Sequence, residues 1–358
     1  MQEPLREEER LALTDKRAFA KASGGGPFRL ESRLVARLSI PDLALEQAVL
    51  KDVTFEEATF GKTVFRGAQL EGVTFKDCQL DQVVFEGCTL TRWTLDEVLM
   101  EAPRFERCRL EQGKSVGLRV RSGSFEGCSL DRWEDLRGVF EGARFHQTGV
   151  ASPQWKGTRF SRSRLEHLQL ELGRLERVAV SESEVRALSV RGSRIQGLEF
   201  LFGSIAGMDL EGLTGGPLVL CDLSFQAVKL ASCRLIGLTL SGARGDGFTF
   251  EKCPTLRMLM VSGSELRGLR FSECTLRGPS LRESVLAGTR FERCALAGLD
   301  LEESRLDGLV VSDTELDEAL DGAASSLRGL VLERVRYGAR YRLHDDGASY
   351  EGNRFERR

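Results

Sequence analysis

Apolar residues recur at every fifth position of this chain over almost three hundred residues. Starting at Ile40 and stepping by five to Phe250, nearly every site is Leu, Phe, Val, Ile or Met. A helix repeats every 3.6 residues and a strand every two, so a period of five fits neither element. It requires a backbone that turns a corner every five residues. Four such corners predict square coils of about twenty residues each.

The pattern has few interruptions. One extra residue enters near Cys253 and Pro254, after which the apolar sites continue from Leu256 to Leu316. This single shift predicts a bulge at one corner. The other interruptions lose an apolar site but keep the phase, and we interpret them as local loops: Gly113-Lys114-Ser115, Glu134-Asp135, Gly215-Gly216-Pro217 and Gly245-Asp246-Gly247.

In such a coil, the apolar centre and the residue two positions before it face inward. Most cysteines occupy that second inward position, which predicts small core side chains rather than disulfides or zinc ligands; only Cys221 is clearly out of phase. Phe residues spaced by twenty are expected to form one stacked column: Phe65, Phe85, Phe105, Phe125 and Phe145. Trp93 and Trp133, which are large for an inward site, indicate either local repacking of the coil or a surface patch.

Corner residues follow a second rhythm of ten residues. After Leu256, the position two after each centre alternates between glycine, as at Gly268 and Gly278, and a charged residue, as at Glu273 and Glu283. Because glycine readily adopts positive φ, this alternation predicts two turn geometries within each coil.

The repeating units resemble those of the pentapeptide-repeat proteins. They include GCTL at 87–90, ERCRL at 106–110, SECTL at 272–276 and ERCAL at 292–296. The usual Asp or Asn before the centre is mostly replaced, so the chain resembles a degenerate member of that family. The resemblance implies an all-β solenoid, a right-handed quadrilateral β-helix, and residues 40–316 would give about 14 coils.

The pattern predicts three regions. Residues 1–34 are expected to be an N-terminal cap or helical arm, with a short charged helix between Pro4 and Lys21. Residues 35–322 are expected to form the β-helix. Residues 323–358 are expected to cap its end, because an uncovered last coil exposes unpaired strand edges.

Composition narrows the function. The formal net charge of −3 favours neither direct nucleic-acid binding nor a strongly acidic protein as a whole. No apolar stretch is long enough to span a membrane, and the charged N-terminus lacks the apolar segment of a signal peptide. We therefore expect a cytoplasmic location, or export by a route that needs no cleaved signal. A narrow coil filled with apolar side chains offers no catalytic cleft, and we expect neither enzyme activity nor a cofactor or metal.

Surface charge supplies the candidate binding residues. The segment 300–321 holds nine carboxylates against one base, Arg305. A spacing of twenty also stacks carboxylates on neighbouring coils, with Arg104, Arg107 and Arg109 close enough in sequence to neutralise part of that column. Either surface is a candidate site for a protein partner, although the arginine-rich tail could instead pair with the acidic segment. The candidate residues are Glu86, Glu106, Glu126, Asp300, Glu302, Glu303, Asp307, Asp313, Glu315, Asp317 and Glu318.

Aromatic residues collect at the C-terminus, where all three tyrosines of the chain lie. They predict either a plain cap or a surface that joins two copies into a homodimer. The candidate residues are Tyr337, Tyr341, Tyr350 and Phe355.

The leading hypothesis is a non-enzymatic, rod-shaped scaffold that presents charged flat faces to another protein. Two alternatives come from the family resemblance. Some members mimic DNA and protect a type II topoisomerase such as gyrase; others are accessory, adaptor or effector proteins of bacterial secretion systems. The sequence does not name the partner.

Overall fold

The computed structural model describes residues 12–13, 28–340, 342–344, 349–351 and 354–357. All regular elements in these residues are β-strands. The chain divides into two compact units, Met1–Gly173 and Arg174–Arg358. Within the described ranges, no helix has the length and apolar character needed to cross a membrane.

The first unit is built from very short strands. After Ala12–Leu13, every strand has three residues and is centred on every fifth residue, from Arg29–Glu31 and Leu34–Ala36 through to Gln169–Glu171. In nearly all of them the central side chain is buried and its two neighbours point outward, which is the alternation expected of a strand with one face on the core.

Strands of the first unit pair in parallel with the strand twenty residues later. Phe85 is in register with Phe105, and Phe105 with Phe125. This register aligns each inward site with the same site of the next coil. The five-residue period therefore becomes four columns of buried side chains.

The second unit contains longer strands that continue around corners, followed by short ones. The strands are Arg174–Ser181, Glu184–Arg191, Arg194–Leu201, Ser204–Glu211, Thr214–Gly215, Leu218–Cys221, Ser224–Ala231, Arg234–Ser241, Arg244–Glu251, Thr255–Ser262, Glu265–Arg267, Arg270–Ser272, Thr275–Arg277, Val285–Ala287, Arg290–Glu292, Ala295–Asp300, Arg305–Asp307, Val310–Ser312, Glu315–Asp321, Ser326–Arg328, Val331–Tyr337, Arg342–His344, Ser349–Glu351 and Arg354–Arg357.

The predicted fold class, a right-handed quadrilateral β-helix, is confirmed, with about 16 turns rather than about 14. The repeat is longer than expected because it starts before residue 35 and runs past residue 322. Leu30 and Val35 are already buried centres, and Leu327 and Leu332 continue the buried column. Strands of the same kind therefore occupy parts of both regions that the sequence assigned to caps.

Insertions explain why the rhythm fades near the C-terminus. The predicted shift at Cys253–Pro254 is present, since Leu235 pairs with Leu256 at a spacing of 21 residues. The spacing then returns to 20, as in the pair Phe271 and Phe291, and widens again only near the C-terminus, where Leu320 is in register with Leu343. The parallel ladder survives these insertions, but a search at fixed spacing does not follow them.

The predicted helix at 4–21 lies outside the described residues, except for Ala12–Leu13. Those two residues form a strand that pairs in parallel with Leu34 and Val35. They are therefore part of the sheet and not of a helix.

The sequence predicted that corner residues alternate between two turn geometries. In the structure, the glycine and the charged corner residues have the same sign of φ. Gly278 has φ of 60° and Glu273 has φ of 54°, so both kinds of corner adopt the left-handed conformation. This conformation is strained for residues with a side chain. Its repeated use shows that the strand ladder, rather than glycine, dictates the turn.

The interior confirms the predicted aromatic column. Rings from Phe65 to Phe145 stack in succession, with centroid distances between 4.5 and 4.9 Å. The in-phase cysteines are also buried, whereas Cys221 is only half-buried. The Cys88 thiol donates to the carbonyl oxygen of Phe65 over 3.2 Å, so it fills the core and links neighbouring coils.

Trp93 and Trp133 are inside the coil and do not form a surface patch. Gly113 lies between them in the same column, and a Cβ there would come within 2.0 Å of the Trp93 ring. The missing side chain of Gly113 therefore provides the room for the indole. Of the two interpretations given by the sequence, local repacking is confirmed.

Candidate functional site

A polar cluster lies buried inside the first unit. Asp135 is 2% exposed and accepts hydrogen bonds from the hydroxyls of Ser115 and Thr158. Its Oδ2 also accepts from the backbone N–H of Gly138 over 3.0 Å. Trp133 Nε1 donates to Ser115 Oγ over 2.9 Å. The segments that the sequence assigned to loops, 113–115 and 134–135, instead belong largely to the strands Lys114–Val116 and Glu134–Leu136, in which Ser115 and Asp135 face inward.

Burial raises the pKa of Asp135, because removal from water disfavours the charged carboxylate, while its three hydrogen-bond donors act in the opposite direction. The carboxylate is enclosed by the coil, where it is almost inaccessible to solvent. We therefore assign the cluster to the core and not to a reaction site. Ser115 and Asp135 are the two polar residues at centre positions, and both are close to tryptophans in the sequence. The five-residue period alone predicts apolar residues at these positions, so it did not reveal the hydrogen-bonded cluster.

The predicted carboxylate column is present on the surface of the first unit. Glu86, Glu106 and Glu126 are in register on successive coils. Arg66 donates to Glu86 over 2.9 Å and Arg107 does so over 2.7 Å. These contacts lower the pKa of Glu86, with the Arg66 hydrogen bond as the largest cause.

The remaining two carboxylates of this column differ. Glu106 pairs with Arg104, as the sequence suggested, whereas Arg109 pairs with Glu111 instead. Glu126 has no ion-pair partner among the described residues. Only one of the three carboxylates therefore retains an uncompensated charge, which weakens this column as a docking surface for a basic partner.

The acidic segment of the second unit is largely neutralised by the tail that follows it. Arg334 makes two hydrogen bonds of 2.6 Å to the Asp313 carboxylate. Arg340 lies 2.8 Å from Asp317 and 3.4 Å from Glu318. A longer contact of 3.9 Å joins Arg336 to Glu315. The pairing of basic tail with acidic coils is therefore observed.

Some of the carboxylates near the start of that segment also have hydrogen-bond or ion-pair partners. Arg282 lies 2.7 Å from Glu302, and Ser280 donates to Asp300 over 3.0 Å. Glu303 and Asp307 have no ion-pair partner within the described part of the chain. Of the predicted acidic candidates in this unit, these two keep exposed and uncompensated charges.

Asp307 borders a surface cavity of about 500 Å³ in the second unit. Its floor includes Val285 and Ala287, which lie in register between two charged rows. Val285 is 50% exposed, which is high for a large apolar side chain. We call this cavity the Val285 groove. It is lined by Gly245, Asp246, Glu265, Leu266, Arg267, Val285, Leu286, Ala287, Arg305 and Asp307.

Most charges around the Val285 groove are unpaired. Glu265 contacts Arg244 at 3.6 Å. In contrast, Asp246, Arg267, Arg305 and Asp307 are exposed and form no ion pair with any described residue. An apolar floor surrounded by uncompensated charges of both signs is chemically suited to bind another protein. The partner's side chains can provide an opposite charge for each rim residue and an apolar group for the floor.

The C-terminal aromatic candidates are only partly described. Tyr337 is 41% exposed and in register with Leu316. Tyr350 and Phe355 lie in strands that are in register with Leu327 and Leu332, at the positions of coil centres. Tyr341 lies outside the described residues. The backbone register favours capping of the preceding coil, and dimerisation stays a prediction.

Family comparison agrees with the repeat architecture. Residues 39–115 match a family model described as a pentapeptide repeat region. Residues 270–308 match one described as pentapeptide repeats in eight copies. The chain is a pentapeptide-repeat protein. No curated protein sequence matches the chain significantly.

Solved structures include other pentapeptide-repeat proteins. A trypsin-treated form of QnrB1, a plasmid-mediated fluoroquinolone resistance protein, is 21% identical and aligns over 56% of this chain and 90% of its own, with a TM-score of 0.32. HetL, a pentapeptide-repeat protein involved in heterocyst differentiation regulation in the cyanobacterium Nostoc, is 12% identical over 53% and 92%, with a TM-score of 0.29.

An alginate lyase, AlyF-OU02, is 8% identical and aligns over 96% of this chain and 87% of its own, with a TM-score of 0.27. These low identities and TM-scores carry no functional information for the pentapeptide-repeat chain. In the described part of the chain, no three His, Cys, Asp or Glu side chains are grouped as a metal site would require.

Proposed function

We propose that this pentapeptide-repeat protein is a non-enzymatic scaffold that binds a protein partner through the Val285 groove. The observation that carries the proposal is the groove itself: an exposed Val285 between unpaired Arg267, Arg305, Asp246 and Asp307. Exposed apolar area rimmed by polar groups marks interaction sites more often than plain surface does. We further propose a cytoplasmic location.

Rigid placement supports a binding role. Val285 is in register with Glu265 on one side and with Arg305 on the other, so ladder hydrogen bonds fix the spacing of these side chains. Little conformational entropy is lost when a partner binds a surface that is already ordered. The strand ladder would thus provide the rigid positions that an interaction scaffold requires.

Contacts in the acidic segment favour a general scaffold over the DNA-like alternative. A DNA mimic needs a continuous uncompensated acidic surface, yet Asp313, Asp317 and Glu318 are paired with arginines. A supercoiling assay tests this directly, and protection of gyrase from an inhibitor by the purified protein would restore the mimicry hypothesis. No contact in the described residues favours the secretion-system alternative.

Photo-cross-linking tests the proposed groove. A photoreactive side chain replaces Val285 in one variant and Ser204 in a control, which occupies the same strand position several coils earlier. In cells that make the protein, we expect one cross-linked partner from position 285 and none from position 204. Asp307→Arg should abolish the product because it reverses a charge at the rim.

Equal cross-linking from both positions would contradict a specific groove. An unchanged product after Asp307→Arg would show that the charged rim does not contribute to recognition. Circular dichroism of each variant verifies that the exposed substitutions leave the β-helix intact.

A further inference from the structure

Two adjacent sides of four successive coils in the second unit contain no carboxylate. They comprise residues 214–221, 234–241, 255–262 and 275–282, although Asp and Glu supply 54 of the 358 residues of the chain. Parallel pairing places these segments directly beside one another, as Ile236 with Arg257 and Leu256 with Leu276. The only charged side chains on this surface belong to Arg234, Arg257, Arg277 and Arg282.

The same surface exposes large apolar side chains. Ile236 is 57% exposed, Met258 is 61% exposed and Met260 is 48% exposed. Ile236 is in register with Arg257, the residue that precedes Met258, so the three apolar groups lie on neighbouring coils around one corner. Clustered exposed apolar groups are uncommon on a surface that faces only water.

Two arginines flank these apolar groups without carboxylate partners. Arg257 and Arg277 are in register on successive coils, about 4.8 Å apart as adjacent strands. Both are exposed, and neither forms an ion pair with a described residue. Like charges at this spacing repel each other, and a bound carboxylate would relieve that repulsion.

We propose that Ile236, Arg257, Met258, Met260 and Arg277, the Arg–Met surface, bind a partner protein segment that carries carboxylates beside apolar side chains. Guanidinium groups bind carboxylates in a two-pronged geometry, and flexible methionines adapt to apolar side chains of different shape. Exposed Met and Ile favour a protein over a nucleic acid, whose phosphates would gain nothing from them. This surface is distinct from the Val285 groove and is proposed independently of it.

A binding assay with defined probes tests the proposal. The probe is a short fluorescent peptide that repeats Glu-Leu-Ser-Asp, and its affinity for the full chain is measured by fluorescence anisotropy. The comparison probes are a peptide of equal charge with Ser in place of Leu, and a short DNA duplex. We expect the Leu-containing peptide to bind at least about tenfold more tightly than either.

Paired variants locate the binding. Arg257→Ser with Arg277→Ser should weaken the Leu-containing peptide by about tenfold or more, and Met258→Ser with Met260→Ser by a similar factor. The matched control is Arg270→Ser with Arg290→Ser, because these arginines are also exposed, in register and without an ion-pair partner among the described residues. The control should change affinity by less than about twofold.

Three outcomes would overturn the proposal. They are equal weakening by the control pair, binding of the Ser peptide or the DNA as tight as that of the Leu peptide, and no binding of the Leu peptide. The first two would indicate attraction of any polyanion to arginines. Single substitutions at Met258 and Arg257 serve if a double variant does not fold.

Discussion

The two units share one backbone plan but fill it differently. In the first unit, a run of stacked phenylalanines, three tryptophans and a buried aspartate occupy the interior. In the second unit, leucine, valine and isoleucine predominate, and the phenylalanine stack of Phe248, Phe250, Phe271 and Phe291 is shorter. Parallel pairing of successive coils is nevertheless kept in both. The comparison indicates that the parallel ladder defines the fold, while the core chemistry varies within the space that each coil provides.

The largest expected effect on stability comes from truncating a buried core side chain, and it compares the aromatic core of the first unit with the aliphatic core of the second. Phe105→Ala should lower the free energy of unfolding by about 3–5 kcal/mol, because it leaves a cavity and interrupts the ring stack. Leu240→Ala, an equivalent centre in the second unit, should cost about 2–5 kcal/mol. All three tryptophans lie in the first unit, so tryptophan fluorescence during denaturation reports on that unit and circular dichroism reports on both.

Phe105→Leu serves as the control for ring stacking, since it keeps most of the apolar volume. We expect it to cost much less than Phe105→Ala. An equally large loss would mean that stacking, and not cavity formation, accounts for the difference between the two units.

An intermediate effect is expected at Asp135, since no carboxylate is buried in the described part of the second unit. Asp135→Ala leaves the hydroxyls of Ser115 and Thr158 and the Gly138 N–H without their acceptor, at a cost of about 1–3 kcal/mol. Chemical denaturation of the variant, followed by tryptophan fluorescence, measures the cost.

The raised pKa of Asp135 also predicts a pH dependence. Between its unfolded and folded pKa the native state binds more protons, so this group's contribution to stability falls as pH rises through that window. Asp135→Asn cannot ionise and should remove this component of the slope. An unchanged pH profile in Asp135→Asn would show that the buried carboxyl is not the group responsible.

The smallest effect is expected at the surface ion pairs, which occur in both units. Arg66→Ser in the first unit and Arg334→Ser in the second should each leave the midpoint of thermal unfolding almost unchanged, because exposed pairs are screened by solvent. Thermal unfolding at low and high salt measures the effect. A large fall in the unfolding temperature of either variant would make its pair a structural requirement of that unit.

The sequence was sufficient for the strand ladder, because Phe85 and Phe105 reveal the coil length by their spacing alone. It also placed Cys88 and Cys108 correctly, since the inward phase follows from the same spacing. It failed at Ser115 and Asp135, where a period of apolar centres cannot anticipate a buried hydrogen-bond network. The sequence suggested that the arginine-rich tail neutralises the acidic segment, but it could not show which carboxylates Arg334 and Arg340 contact.

The carboxylate-free surface around Arg257 could have been found by aligning the sequence in rows that follow the coils. Recognition of the Val285 groove required coordinates, because it depends on which neighbouring charges meet and which do not. Asp307 and Asp313 show the difference: both are acidic residues of the same segment, yet among the described residues only Asp313 forms an ion pair with an arginine.

The reactivity of the buried cysteines can be used to measure local opening of the coils. Four occupy the interior of each unit: Cys78, Cys88, Cys108 and Cys128 in the first, and Cys233, Cys253, Cys274 and Cys294 in the second. Burial raises the pKa of Cys78 to about 11, so its thiol reacts slowly while the coil is closed. An alkylating pulse followed by peptide mass spectrometry would therefore record which coils separate first, without any introduced label.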